Sequence, residues 1–185
     1  MANFYSEHAF ACERCDRKTS RTQVVYGYGC YERPPIAFVT ESPSTLDDAS
    51  GFPLSGPEGA VFDSMLKALG YTREDVFTVP CAMCRGSADP EPCFSMVLTQ
   101  LRVVEPAVVV ALGTEPANFL LKKLTGEKTL AFHRKVSYVL DGKPLQVTYS
   151  MSYLVRQPSA KRATWEDLQL AVARSRSGNP SPEPV

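Results

Sequence analysis

The chain has 185 residues, 44% of them hydrophobic, which is enough for one domain with its own core. Its formal net charge of +0 at pH 7 excludes a protein that coats nucleic acid by bulk charge, though not one with a local basic groove. No apolar run approaches the roughly 18 residues a membrane span needs, and the first residues lack the charged-then-apolar order of a secretory signal, so the expectation is a cytoplasmic, reducing setting with no membrane partner.

In chain order, the first feature is Cys12-x-x-Cys15 within a segment rich in arginine and lysine. Pro35–Glu41 is a short apolar run bounded by turn residues, the pattern of a buried strand. The Gly/Pro-rich stretch Gly51–Gly59 reads as a loop. Ala60–Leu69 carries apolar residues at helical spacing and stops at Gly70. Asp75–Val79 reads as a second short strand. Cys93–Val104 is predicted helical, ending before Glu105-Pro106. Ala107–Leu112 is apolar throughout, as a strand covered on both faces should be. Gly113 and Thr114 open a helix to about Lys123. Lys135–Leu140 and Leu145–Tyr149 flank Asp141-Gly142, a hairpin signal. Ser159 to about Arg174 is a last helix, with Trp165 and Leu168 expected in the core. One domain over residues 1–174 and a disordered tail over 175–185 complete the expectation.

Alternation of strands and helices predicts an α/β three-layer sandwich, a mostly parallel central sheet flanked by helices. Ligands of such sheets bind beyond the carboxyl ends of the strands. That directs attention to Ser42–Pro57, Pro80–Pro92, Gly113–Pro116 and Ser150–Arg156.

The six cysteines, at 12, 15, 30, 81, 84 and 93, read better as metal ligands than as disulfides in a reducing compartment. A lone Cys-x-x-Cys is weak evidence, but Cys84 with Cys93, and Cys81 nearby, makes four ligands easy to assemble. Thiolates suit zinc and iron–sulfur clusters alike, and buried unpaired cysteines are the bland alternative. Cys30 stands alone and reads as a packing residue. Cys81 is ambiguous, since Cys81-x-x-Cys84 is also a ligand pair.

The order of motifs resembles the iron–sulfur (family 4) uracil-DNA glycosylases from about Cys12 to Leu170. Cys12-x-x-Cys15 is followed by Val24-Val25-Tyr26-Gly27-Tyr28-Gly29, similar to the family's cysteine pair and V-x-G-x-G strand. Thr40-Glu41-Ser42-Pro43-Ser44 lies on G-E-x-P-G, and Gly51-Phe52-Pro53-Leu54-Ser55-Gly56-Pro57-Glu58-Gly59 on G-x-P-F-x-G-x-x-G. Met83-Cys84-Arg85 lies on K-C-R, Cys93 on the next cysteine, and Pro106 to Gly113 on P-x-x-I-V-x-L-G. Thr148-Tyr149-Ser150-Met151-Ser152-Tyr153-Leu154-Val155-Arg156 lies on T-Y-H-P-S-x-L-L-R. No one motif is specific; their shared order is.

The resemblance implies a uracil-DNA glycosylase-like fold and a [4Fe–4S] cluster, with zinc as the alternative, held by Cys12, Cys15, Cys84 and Cys93. It implies Glu41 as the aid to water attack on the sugar C1′. Ser150 takes the place of the catalytic histidine, and Ser150 or Ser152 would donate to the leaving base. Ser42, Pro43, Phe52, Leu54 and Pro80 would form the base pocket, and Ser55, Arg85 and Arg156 would meet the DNA backbone. The departures are chemical. Leu54 replaces the ring that stacks on uracil, Pro80 replaces the amide that reads its edge, and Ser150 has no positive charge to place at the leaving base. Phe52 is a candidate substitute ring and His133 a candidate substitute imidazole, while His8 reads as part of the N-terminal segment. Arg14, Arg17, Lys18 and Arg21, with Lys161 and Arg162, read as solvated faces or as a phosphate track. Asp47 and Asp48 would oppose DNA if they faced the same groove. The expected function is a monomeric DNA glycosylase that flips and excises uracil or, in preference, a modified base by hydrolysis of the N-glycosidic bond. The alternatives are a non-catalytic DNA- or nucleotide-binding relative and a zinc-stabilised structural domain.

Overall fold

The computed structural model describes residues 12–86, 89–125, 134 and 136–177. Among the described residues, six strands form one sheet: β1 (Tyr28–Gly29), β2 (Ile36–Thr40), β3 (Phe77–Pro80), β4 (Val108–Leu112), β5 (Ser137–Leu140) and β6 (Lys143–Thr148). Their order is β1-β3-β2-β4-β6-β5. The four central strands pair parallel, and β1 and β5 close the edges antiparallel. β2 and β4 are buried along their whole length, which their continuous apolar sequences IAFVT and VVVAL require.

The helices are α1 (Thr45–Ser50), α2 (Pro57–Leu69), α3 (Phe94–Val104), α4 (Thr114–Thr125), α5 (Met151–Arg156) and α6 (Lys161–Ser177). Alternate strand residues face the two sides of the sheet. Ile36, Phe38, Val108 and Val110 pack with Phe62 and Leu66 of α2 and with Leu168 and Ala171 of α6. Ala37, Val39, Val109 and Ala111 pack on the other side with Val97 and Leu101 of α3 and Leu120 of α4. The predicted three-layer sandwich is therefore the observed one. No described helix is long and apolar enough to cross a membrane.

The predicted elements hold with shifted ends. Asp141 (φ 53°) and Gly142 (φ 78°) both take the left-handed conformation, as a two-residue hairpin turn with right-handed strand twist requires. α2 starts at Pro57, three residues before its predicted start, because proline's missing N–H is harmless in the first turn. Two short helices, α1 and α5, occupy segments expected to be loops. The last helix runs to Ser177, past its expected end at Arg174, and the remainder of the expected tail lies outside the described residues. Leu168 is buried as expected, whereas Trp165 is only half-buried, on the outer side of the α2–α6 contact.

Candidate active site and cysteine centre

β2, β4 and β6 run parallel, so their carboxyl ends share one edge of the sheet, and the candidate site lies there. Glu41 follows β2 directly. Ser150 is the N-cap of α5, just beyond β6, and its Oγ accepts the Tyr153 amide at 3.2 Å. The first turn of α5 then brings Ser152 to Glu41, and Ser152 Oγ donates to Glu41 Oε2 at 2.6 Å. Ser150 Oγ lies 3.0 Å from Ser152 Oγ. Since the Ser152 hydrogen is directed at the carboxylate, the Ser150 hydroxyl is the donor of this second bond. Both hydroxyls thus point along one chain toward Glu41. Both hydroxyls, expected as donors to a leaving base, donate within the protein here, Ser152 to the carboxylate, a strong acceptor.

Glu41 and Ser152 border a cavity of about 80 Å³, together with Ser42, Asp47, Leu54 and Glu58. Among the described residues, three carboxylates and no cation line it, and no histidine, asparagine or aromatic ring does. Of the expected pocket residues, Ser42 and Leu54 are in place. Phe52 is not: it is 51% exposed and meets Tyr28 edge-on with ring centroids 5.2 Å apart, so it is no substitute for the missing ring. Pro43 and Pro80 are buried but do not line the cavity; Pro80 is the last residue of β3, in register with Thr40. His8 and His133 lie outside the described residues.

The loop after β2 is held by carboxylates. Ser44 caps α1 through its hydroxyl while Asp47 accepts the Ser44 amide at 2.9 Å, a reciprocal capping box. The other Asp47 oxygen accepts the Ser55 amide at 2.6 Å and so draws the Leu54 turn toward the cavity. Asp48, 2% exposed, accepts the amides of Thr22 and Gln23 and pairs with Arg85 at 3.5 Å. Burial pushes its carboxyl up, but the Thr22 and Gln23 amides and the Arg85 guanidinium outweigh burial and hold it below its usual value. Asp48 is an internal brace, whereas Asp47 braces the loop and also borders the cavity. Arg85, expected at the DNA backbone, is engaged by Asp48 and donates to the Ser20 carbonyl at 2.6 Å. Ser55 is exposed, but its hydroxyl bonds Ser50 and the Phe52 carbonyl. Arg156 is exposed in the last turn of α5.

The basic cluster beside the first cysteines divides: Arg14 and Lys18 are exposed, whereas Arg17 and Arg21 turn inward. Arg17 is 2% exposed. It donates to Ser42 Oγ at 3.0 Å and to the Cys84 carbonyl at 2.9 Å, and lies 3.8 Å from Glu115. Arg21 donates to Cys84 Sγ at 3.3 Å. Cys12, Cys15, Cys84 and Cys93 are close enough to act on one another: Cys12 and Cys15 both raise the Cys84 and Cys93 thiols, after burial, the main cause in each case. As oriented, no three His, Cys, Asp or Glu side chains among the described residues converge on a metal position. The donor set fits thiophilic chemistry nonetheless: four sulfurs lie in one neighbourhood, the ligand type that zinc and iron–sulfur clusters take. Cys81 is fully buried, 3.9 Å from Ser42 Oγ; burial followed by Glu115 pushes its thiol well up, and Cys93 adds to the rise, so Cys81 also lies near this group.

Glu115 and Glu58 were missed in the sequence. Each lies in the first turn of a helix at the ligand-binding edge of the sheet, Glu115 in α4 and Glu58 in α2, and that position was the available signal. Asp167 was missed because it is remote in sequence. It is 1% exposed, accepts the Thr148 hydroxyl at 2.6 Å and pairs with Arg134, whose guanidinium lies over the Tyr149 ring at 4.9 Å.

Known proteins share similarity with this sequence. The sequence model of the Uracil DNA glycosylase superfamily matches residues 26–169. The chain is 31% identical to the type-4 uracil-DNA glycosylase of Thermotoga maritima over 180 residues, covering 92% of this chain and 93% of that protein. It is 34% identical to the type-4 enzyme of Archaeoglobus fulgidus over 117 residues, 60% of this chain and 58% of that protein. The type-4 enzyme of Pyrobaculum aerophilum is 25% identical over 173 residues, with 86% and 87% covered.

Proposed function

Because the chain belongs to the uracil-DNA glycosylase superfamily, as a family 4 member, we propose that it excises a base from DNA by hydrolysing the N-glycosidic bond. The observation that carries this reading is the aimed carboxylate: Glu41 stands at a strand end beside a cavity, fixed by Ser152 at 2.6 Å. A nucleotide flipped out of the helix enters the cavity base first. The free side of Glu41 orients water toward C1′ and accepts its proton as the carbon–oxygen bond forms. The bond to the base breaks, and the base leaves with the electron pair. Ser152 is the residue that aims Glu41, and Ser150 supports Ser152. Arg156, Lys161 and Arg162 are exposed cations on the α5–α6 side that can meet phosphates, Arg162 from an ion pair with Glu166 at 3.6 Å.

The base preferred is a modified one. Uracil presents carbonyl acceptors; the described wall sets the carboxylates of Glu41, Asp47 and Glu58 among the hydroxyls of Thr40, Ser42, Ser44 and Ser152, and of these Thr40, Ser42 and Ser152 already donate to protein oxygens. Carboxylates suit a base rich in donors or carrying positive charge, as N-alkylated bases do, and such a base departs neutral without a cation at its oxygen. Cys12, Cys15, Cys84 and Cys93 would hold a [4Fe–4S] cluster, or zinc. The group would supply a cross-link between the N-terminal segment and the loop before α3.

The test is a panel of oligonucleotides containing uracil, other deaminated bases and N-alkylated bases, with metal-loaded protein. Abasic product that Glu41→Gln abolishes is the expected result, with N-alkylated bases ahead of uracil. No product from any of them overturns the reading. A non-catalytic DNA- or nucleotide-binding role is the second reading, favoured by the commitment of both hydroxyls to Glu41. It requires that Glu41→Gln leave binding unchanged while no substrate is cleaved.

A further inference from the structure

Arg17 is among the largest side chains in the fully buried set, though it belongs to a short 3-10 turn (Asp16–Thr19) that directly follows Cys15. A guanidinium does not lose its proton in a protein, so its burial requires partners for the charge. Those partners come from three separate parts of the chain. One is the main-chain carbonyl of Cys84, 2.9 Å from Nη1. The second is Ser42 Oγ, 3.0 Å from the same nitrogen. The third is Glu115 at the start of α4, 3.8 Å from Nη2. Glu115 completes the set by accepting both the Ser42 hydroxyl at 2.5 Å and the Ser42 amide at 2.9 Å.

The consequence is geometric. Ser42 is the residue after Glu41, and its backbone and side chain are both tied to a carboxylate that faces Arg17. One side of the same guanidinium rests on the backbone of a cysteine of the metal set. We propose that Arg17 is a positioning residue that couples the cysteine centre to the catalytic loop. With Cys12 and Cys15 tied to Cys84 and Cys93, the 3-10 turn is pinned and Arg17 is held inside, where it fixes Ser42 and through it the direction of Glu41. With that tie lost, the turn is free to withdraw. Arg17 then leaves for water, Glu115 and Ser42 lose the charge they were arranged around, and the Glu41 loop relaxes. The coupling rests on the four cysteines binding a metal group but not on the excision chemistry.

Hydrogen exchange tests it without DNA. Amide exchange over residues 40–50 is measured in metal-loaded and metal-stripped protein, for the wild type, Arg17→Met and Arg17→Lys, with metal content and visible spectrum recorded for each. Stripping the wild type is expected to speed exchange in this segment about tenfold, the scale of one lost hydrogen bond to a charged group. Loaded Arg17→Met is expected to keep the wild-type metal content and spectrum, yet to exchange at the stripped rate already and to gain nothing on stripping. Arg17→Lys is expected to restore part of the protection. Equal acceleration on stripping in the wild type and Arg17→Met overturns the coupling, as does wild-type protection in loaded Arg17→Met. If Arg17→Met does not take up metal, Ser42→Ala decides, since it leaves Arg17 and the cysteines intact. Faster exchange over 40–50 at full metal content supports the proposal, and unchanged exchange overturns it. A wild-type protein that binds no metal overturns it also, and leaves the oligonucleotide assay as a separate test of the excision reading.

Discussion

At the scale of single residues, the candidate chemistry depends on which way two hydroxyl hydrogens point. Glu41 was legible in the sequence as an acid directly after an apolar strand. The direction of Ser152 was not, because it depends on the single turn of α5 that carries it back over Glu41. A hydrogen bond to a charged group contributes about 1.5–3 kcal/mol. Removing it frees Glu41 to rotate off the line to C1′. Ser152→Ala is therefore expected to slow single-turnover excision about ten- to a hundredfold, with DNA affinity little changed. Ser150→Ala acts one bond further away and also removes the α5 cap, for which about 1 kcal/mol of stability is the usual loss. It should lower the midpoint of denaturant unfolding more clearly than Ser152→Ala and slow excision less. A Ser150→Ala variant slower than Ser152→Ala would mean that Ser150 itself meets the departing base.

At the scale of elements, the sequence showed the long ones and hid the short ones. α1 and α5 each span six residues, too few for a helical hydrophobic period to repeat. The α1 start was nonetheless written in Ser44-x-x-Asp47, an acid-for-glutamate variant of the capping signature. Asp48 is more instructive, since its brace to Thr22 and Gln23 joins segments far apart in the chain, which no local pattern can display. Its carboxyl is held below the usual value, so the stability it contributes is full above the unfolded value of about 3.9 and is lost as pH falls through the lower folded value. Asp48→Asn should be less stable than the wild type at neutral pH, and the gap in unfolding midpoint should close on acidification below about pH 3.9. A gap that widens in acid would reverse the sign argued here. The β4–α4 junction makes a second claim. Gly113 has φ +109°, and a Cβ there would lie 2.7 Å from Ser150 Cβ and 3.4 Å from Glu41 Oε1. Gly113→Ala combines about 1–3 kcal/mol of backbone strain with a push on both site residues. Loss of excision beyond what the shift in melting temperature explains is the expected result.

At the scale of the whole molecule, strand alternation and the order of motifs were enough to read the sandwich fold and to direct the search for a candidate site to the carboxyl edge of the parallel strands. They were not enough to choose among the cysteines, because Cys81 and Cys84 are three residues apart and both are buried. The sheet separates them. Cys81, at the end of β3, hydrogen-bonds its amide to the Thr40 carbonyl at 2.9 Å, and its thiol faces Ser42. Cys84 has moved past the edge to meet Arg21 and the Cys12–Cys15 segment. A metal group there closes the chain from residue 15 to residue 84, a loop whose closure contributes about 4 kcal/mol in the chain-entropy account. Cys84→Ser should therefore lose stoichiometric metal and melt well below the wild type. Cys81→Ala should keep the metal, with its absorption if the group is an iron–sulfur cluster and colourless if it is zinc. Because the Cys81 side chain is packed beside Ser42 and Glu115, its loss should appear in excision rate rather than in metal content. Metal loss from Cys81→Ala with retention in Cys84→Ser would exchange the two assignments and place the centre on the catalytic side of the β3 end.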